Sequence, residues 1–261
     1  AIKEAAGDRW TSMAGVTFNY STLDNKKNPR SGWYIDVRPE VAGIGGDAKY
    51  FRIAGDVRYY HEINDDFVGM IRLQGGHIRA FGGEKLNILD HYFLGPSLVR
   101  GFAPSGIGPR DISNGDSRAS AIGGTTYFGG TVEVQFPVFG LPKELGMKGA
   151  IFADAGTLFG YEGQTSFDLN KDGQINGIIN GTAPCGSAPN TFTTAQECIL
   201  VRDEKTIRSS VGASLLWESP LGPIRFDYAW ALTKDKGVIV NGTRVGQDRT
   251  QAFRFSSGFG F

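Results

Sequence analysis

Residues 91–110 read HYFLGPSLVRGFAPSGIGPR. Arg100 sits there between Val99 and Gly101-Phe102, in a segment with four glycines and three prolines. That composition interrupts any regular helix or strand ladder, so the stretch reads as loop. On both sides lie short segments in which apolar and polar residues alternate. The arrangement predicts a long loop, about 82–123, set between strands of a sheet, with Arg100 as its one cation near the middle of the quoted stretch.

The flanking segments have period two, the strand period. Over 49–63, Phe51, Ile53, Val57, Tyr59 and Ile63 point one way, and Arg52, Asp56, Arg58, Tyr60 and Glu62 the other. Over 207–218, Ile207, Val211, Ala213, Leu215 and Trp217 alternate with Arg208, Ser210, Gly212, Ser214 and Glu218. Ile224, Phe226, Tyr228 and Trp230 alternate with Arg225, Asp227 and Ala229. At the end Phe253, Phe255, Phe259 and Phe261 alternate with Arg254, Ser256, Gly258 and Gly260. Nine strands are expected, near 11–23, 32–42, 49–63, 67–81, 125–138, 147–159, 206–218, 223–233 and 250–261.

Alternation alone fits a soluble sandwich as well as a membrane barrel. Composition and connection lengths separate them. Glycine is abundant (38 of 261) and 18 Phe with 9 Tyr make an aromatic-rich, turn-rich chain. No apolar run reaches the roughly 18 residues of a spanning helix, which leaves a membrane barrel open because its strands hide their apolar half in alternate positions. Tight connections are expected at Arg38–Lys49, Asn64–Asp66, Pro137–Lys148 and Ser219–Pro223, and long ones at Asp24–Gly32, Phe81–Gly123, Tyr161–Thr206 and Thr233–Arg249. Short turns alternating with long loops mark an outer-membrane barrel. The 27 Lys and Arg balance 27 Asp and Glu, so no basic stripe for nucleic acid is expected. An odd strand count and a start at Ala1 suggest part of a barrel, with 1–10 a partial leading segment and 11–261 barrel.

The loop resembles the signature of the BamA/TamA superfamily of outer-membrane insertases. It is carried by Tyr92-Phe93-Leu94-Gly95, Leu98-Val99-Arg100-Gly101-Phe102 and Ile107-Gly108-Pro109-Arg110, with Pro96 where the family has a second glycine. Further resemblances follow in order. They are Leu23–Asn25 with Asn28–Gly32, Glu133 with Pro137, Phe152–Gly156, and Ser219–Tyr228. The resemblance implies an all-β, antiparallel transmembrane barrel of roughly sixteen strands, of which about nine are present here. It also implies preceding POTRA domains and first strands outside this chain. It makes Val99, Arg100, Gly101 and Phe102 a latch on the barrel wall, with Glu133, Phe152 and Asp154 as partners. The last strand, with Phe253, Phe255, Gly258, Phe259 and Phe261, is implied to be an assembly signal and one side of a weak seam.

Such a protein is expected in the outer membrane of a Gram-negative bacterium. Its partners would be outer-membrane lipids, unfolded β-barrel clients and BAM-type lipoproteins, and its role non-enzymatic insertion. A two-partner-secretion transporter or passive pore of the same superfamily is the alternative. Catalytic patterns are missing: His61, His77 and His91 lack zinc-ligand spacing, and Ser105 lacks the glycine that precedes a nucleophile elbow. No cofactor is expected, with one weak calcium pattern at Asp168, Asn170, Asp172 and Asn176. Ile179 there stands where a bidentate Glu belongs, so an Asx-rich turn without metal is the simpler reading. Cys185 and Cys198 fall in one outer connection and are read as a disulfide pair.

Overall fold

A computed structural model describes residues 9–113, 119–142, 145–163, 165–169, 175–178, 196–219, 222–240 and 242–257, with backbone only at 166–169, 175–178, 196–198 and 240. One antiparallel sheet organises the chain. Its strands are β1 (Met13–Gly15), β2 (Phe18–Ser21), β3 (Gly32–Ala42), β4 (Tyr50–Glu62), β5 (Val68–Ala80), β6 (Thr126–Pro137), β7 (Met147–Phe159), β8 (Arg208–Ser219), β9 (Gly222–Thr233) and β10 (Phe253–Ser257). β1 and β2 both pair with β3, and each later strand pairs with the next in the chain. A 3-10 segment, Ile88–Asp90, is capped by Asn87 in the connection after β5.

The expected strands 32–42 to 223–233 appear with ends shifted by a residue or two. The first appears in two pieces on one continuous register, Gly15 opposite Glu40 and Phe18 opposite Val37. The break faces Pro39. Its carbonyl accepts from the Val16 N–H at 3.1 Å, but it has no N–H to return. The last strand is shorter than expected at its start. Connection lengths also alternate less strictly than the sequence suggests. In an up-and-down sheet, parity along the chain decides which end a connection occupies. The 22–31 connection therefore shares an end with those after Glu62, Pro137 and Ser219. The tight 43–49 turn shares the other end with the long 81–125, 160–207 and 234–252 connections.

Register sorts the two faces. Phe51 pairs with Arg79, His77 with Thr126, Thr126 with Phe159 and Tyr228 with Phe253, all on the outward phase. Phe128, Val132, Ile151, Leu73, Trp230, Phe253 and Phe255 on that phase are exposed, as a lipid-facing wall requires. The inward phase carries Arg52, Asp56, Arg58, Arg72, Glu133, Asp154, Arg208, Arg225 and Asp227.

Apolar packing sits between loop and wall. Leu98, Val99, Phe102 and Ile107 form a buried cluster with Leu158 of β7. Leu98 rests on Gly129 and Gly156, register partners on β6 and β7. A Cβ at Gly129 would stand 2.6 Å from Leu98 Cδ1, and one at Gly156 3.0 Å from Leu98 Cγ. These two glycines leave a flat patch that the loop fills. One small sheet ties two long connections together: Arg110–Asp111 pairs with Ser120–Ala121 and with Val201–Arg202. A second, within the 160–207 connection, joins 166–169 to 175–178 and 196–198. Period-two reading of the main strands missed both, because strands of two to four residues are too short to show a period.

Gly129→Val should push Leu98 off the wall and cost about 1–3 kcal/mol by overpacking. The expected reading is a lower urea midpoint in detergent and faster proteolysis within 82–123. An unchanged midpoint with a protected loop would show that Leu98 does not bear on this patch.

Candidate functional site: an arginine latch inside the barrel wall

Gly101, at φ +90, turns the chain beside the Ala229 Cβ and lets Arg100 enter the wall from the loop side. The Arg100 backbone N–H donates to Asp154 Oδ2 at 3.0 Å. Its side chain donates to the same carboxylate through a fork, Nε to Oδ2 at 2.8 Å and Nη2 to Oδ1 at 2.7 Å. Nη1 donates to Glu133 Oε2 at 2.7 Å. The guanidinium lies over the Phe152 ring, 3.3 Å from its centroid. Phe152 itself folds over Gly212 of the neighbouring strand, where a Cβ would meet its Cζ at 2.5 Å. All three partners named from the loop motif are therefore at the latch.

The cluster is larger than the motif suggests. Arg225 donates through Nη2 to Glu133 Oε2 at 2.7 Å and through Nε to Asp227 Oδ1 at 2.7 Å. Ser214 Oγ donates to Asp227 Oδ1 at 2.5 Å and accepts from Arg225 Nη2 at 2.8 Å. Arg254 is the register partner of Asp227 and donates to the Pro96 carbonyl at 3.0 Å. Glu133 is thus bridged by two guanidinium groups, and its side chain is fully buried. Such a pair persists only when nearly every donor and acceptor is met, since removing one partner strands a buried charge. Alternation placed Arg225 and Asp227 on the polar phase, but no pattern within one segment shows that Arg225 meets Glu133, 92 residues away.

Arg110 is a second missed arginine. It is 1% exposed and donates to the carbonyls of Gly106 at 2.7 Å, Ser105 at 3.2 Å and Ala119 at 3.3 Å. It holds the turn at Ser105, whose φ of +50 is uncommon for a residue with a Cβ. Farther toward the long connections, Arg208 donates to Asp248 at 2.9 and 3.2 Å, and Arg202 to Asp235 at 3.1 and 2.8 Å.

The loop also holds the chain leading into β10. Ala103 N–H donates to the Arg249 carbonyl and Arg249 N–H to the Gly106 carbonyl, both at 2.9 Å. Gln251 N–H donates to the Gly101 carbonyl at 2.9 Å, and Phe102 bridges Thr250. Residues 249–251 therefore pair with the loop and not with β9. The seam residues Phe253 and Phe255 face outward and pack on Phe226, with centroids 6.4 and 5.3 Å apart. Gly258, Phe259 and Phe261 lie outside the described residues, as do Cys185, Asn170 and Asp172. Asp168, Asn176 and Cys198 are placed by backbone alone, in the short strands 166–169, 175–178 and 196–198.

The whole chain, residues 1–261, matches the Omp85 superfamily domain. It belongs to the Omp85 superfamily. The outer-membrane protein assembly factor BamA of Neorickettsia risticii is 32% identical over 250 residues, which is 94% of this chain and 28% of that protein. BamA of Neisseria meningitidis is 25% identical, over 97% of this chain and 29% of its own length. A sorting and assembly machinery component 50 homolog of Xenopus laevis is 31% identical over 70% of the chain. The chain thus spans less than a third of the BamA relatives it matches. The crystal structure of BamA from Haemophilus ducreyi lacking POTRA domains 1–3 superposes with a TM-score of 0.67 at 22% identity, covering 93% of this chain and 41% of that one. The fold is that of an outer-membrane Omp85 barrel, of which this chain forms a part, as the loop motif implied.

Arg100→Ala should leave Glu133 and Asp154 short of donors and cost on the order of 3–5 kcal/mol. Arg100→Lys should recover little, because an ammonium cannot span two carboxylates and lie flat on Phe152. Limited proteolysis of 82–123 and heat-modifiable mobility read both effects. Wild-type behaviour in Arg100→Ala would dismiss the latch.

His91 gives the loop a pH dependence. Its Nδ1 faces the Asn87 carbonyl at 3.0 Å, and its Nε2 accepts from the Glu162 N–H at 3.4 Å, so the neutral Nδ1–H tautomer fits both. Tyr161 stacks on it at 4.9 Å. Burial holds its pKa below the usual value, against the opposing pull of the Asn87 carbonyl, Asp90 and Glu162. The unfolded chain then binds the proton more readily, so this stabilisation is full above about pH 6.5 and declines as pH falls toward the folded pKa. Loop proteolysis should rise between pH 7.5 and 5, and His91→Gln should flatten that response. An equally steep rise in His91→Gln would assign it to other groups.

Proposed function

We propose that this chain is part of a non-enzymatic assembly factor that folds and inserts other β-barrel proteins into the outer membrane of a Gram-negative bacterium. The observation that carries this reading is the weak end of the sheet. Among the described residues β10 pairs with β9 from Phe253 to Ser257, opposite Tyr228 to Ile224, and starts well after the end of β9. Upstream, residues 249–251 turn inward to the loop, and among the described residues Ala231–Thr233 of β9 have no strand on that side. A strand edge with free N–H and C=O groups can pair with an incoming extended segment, so a loosely held last strand, one side of a weak first/last-strand seam, suits β-augmentation of unfolded clients. The relatives named as assembly factors support the same reading. Unfolded β-barrel clients are then the partners, with BAM-type lipoproteins alongside in the full-length protein. The buried loop in the lumen suits an insertase better than a passive pore.

The test uses full-length protein in liposomes and an unfolded small outer-membrane β-barrel, whose folding is followed by heat-modifiable mobility. Client folding should be severalfold faster than in empty liposomes, and Arg100→Ala should return it toward the empty-liposome rate. Conductance or export through the lumen, with client folding no faster than in empty liposomes, would favour the secretion-transporter reading instead.

A further inference from the structure

The outward phase of β3 to β10 is free of formal charge except at one position among the described residues. Trp33, Ile35, Val37, Pro39 and Val41 line β3, Phe51 to His61 line β4, and the later strands continue with aliphatic, aromatic, glycine, serine and threonine residues. The exception is Arg79 of β5, which is exposed. It stands one residue from the strand end, at the rim with the long connections. No carboxylate among the described residues pairs with it; the nearby Glu84 is engaged by Lys49 at 3.4 Å.

A cation on a lipid-facing wall is unfavourable unless its head reaches an aqueous or anionic layer. Three features make this rim more than an escape to water. First, His77 lies two residues before Arg79, so both side chains leave the same face. Second, His77 Nδ1 is held by Thr126 Oγ1 at 2.8 Å, which fixes the ring and leaves Nε2 turned away from that partner. Third, Phe51, the register partner of Arg79, and Phe81, both about half exposed, form with Ala80 an open cleft around the pair. Aromatic rings at this height belong at the boundary between acyl chains and headgroups.

We propose that Arg79 and His77 form an anion site on the outer wall, which binds the phosphate of a bilayer lipid in the leaflet at the long-connection end. Arg79 supplies a planar fork of donors that suits phosphate. His77 Nε2 supplies a second contact, and Phe51 and Phe81 flank the first carbons of the acyl chains. The site lies on β4 and β5, well away from the last strands β9 and β10, and it does not depend on the insertase reading.

The test is native mass spectrometry of the full-length protein in detergent, with added phosphatidylglycerol and, as a phosphate-free control, diacylglycerol of the same chains. Wild type should retain phosphatidylglycerol with about fivefold higher occupancy than Arg79→Gln, the effect of one basic group near a headgroup layer. Arg79→Lys should keep most of that occupancy, His77→Gln should fall between, and diacylglycerol should not discriminate. Heat-modifiable mobility of both Arg79 variants should match wild type, because Arg79 has no side-chain partner among the described residues to lose. Equal phosphatidylglycerol occupancy in wild type and Arg79→Gln would overturn the site. Displacement of the lipid by millimolar inorganic phosphate would reassign it to a free anion and overturn the lipid assignment.

Discussion

Two carboxylates buried in a barrel wall, Glu133 and Asp154, face an arginine that arrives from a loop. Neither strand that bears them contributes a cation of its own to Asp154, so the wall is electrostatically incomplete until Arg100 enters. Burial makes the requirement stringent: an unpaired charge in that position costs several kcal/mol, far more than a surface ion pair contributes. The same contact therefore holds the loop to the wall and joins β6, β7 and β9, since Arg225 closes the cluster from β9. Much of the loop's conformation follows. Gly101 must turn at positive φ beside Ala229, Leu98 must find room, and Gly129 and Gly156 supply it.

From the latch the consequences reach the end of the sheet. The segment after Arg100 exchanges backbone hydrogen bonds with Arg249 and Gln251, so the loop takes ladder partners that β9 would otherwise have. The last strand consequently joins β9 only from residue 252 onward. A strong buried interaction on the inside of the barrel and a weak edge at its last strand are two sides of one arrangement. On the outside, a wall without formal charge makes Arg79 conspicuous, because the membrane tolerates a cation only where a headgroup or water can meet it.

How much of this was legible in the sequence varied with the range of the interaction involved. Period-two alternation located the strands, because lipid on one face and a polar lumen on the other force opposite chemistry onto successive residues. The motif around Arg100, through its resemblance to a known superfamily, led to Glu133, Phe152 and Asp154. Arg225 and Asp227 were visible as inward-facing charges and as part of the Ser219–Tyr228 resemblance, and Arg110 as the end of a motif, all without their partners. Their partners come from other segments, and sequence spacing carries no information on which inward charges meet. The split between β1 and β2 was readable in principle from Pro39, but only once its register partner Val16 was known.

By itself, then, the sequence determined an alternating, turn-punctuated β chain with an arginine-bearing loop, since those features depend on residues within a few positions of each other. Register, and with it the latch geometry, was decided by the tertiary structure. Two guanidinium groups converge on Glu133 because three strands and a loop bring them to one point on the wall. The late start of the last strand was likewise decided there, because residues 249–251 could pair with β9 or with the loop, and only the folded loop offers the carbonyls of Gly101 and Gly106 at the right distance.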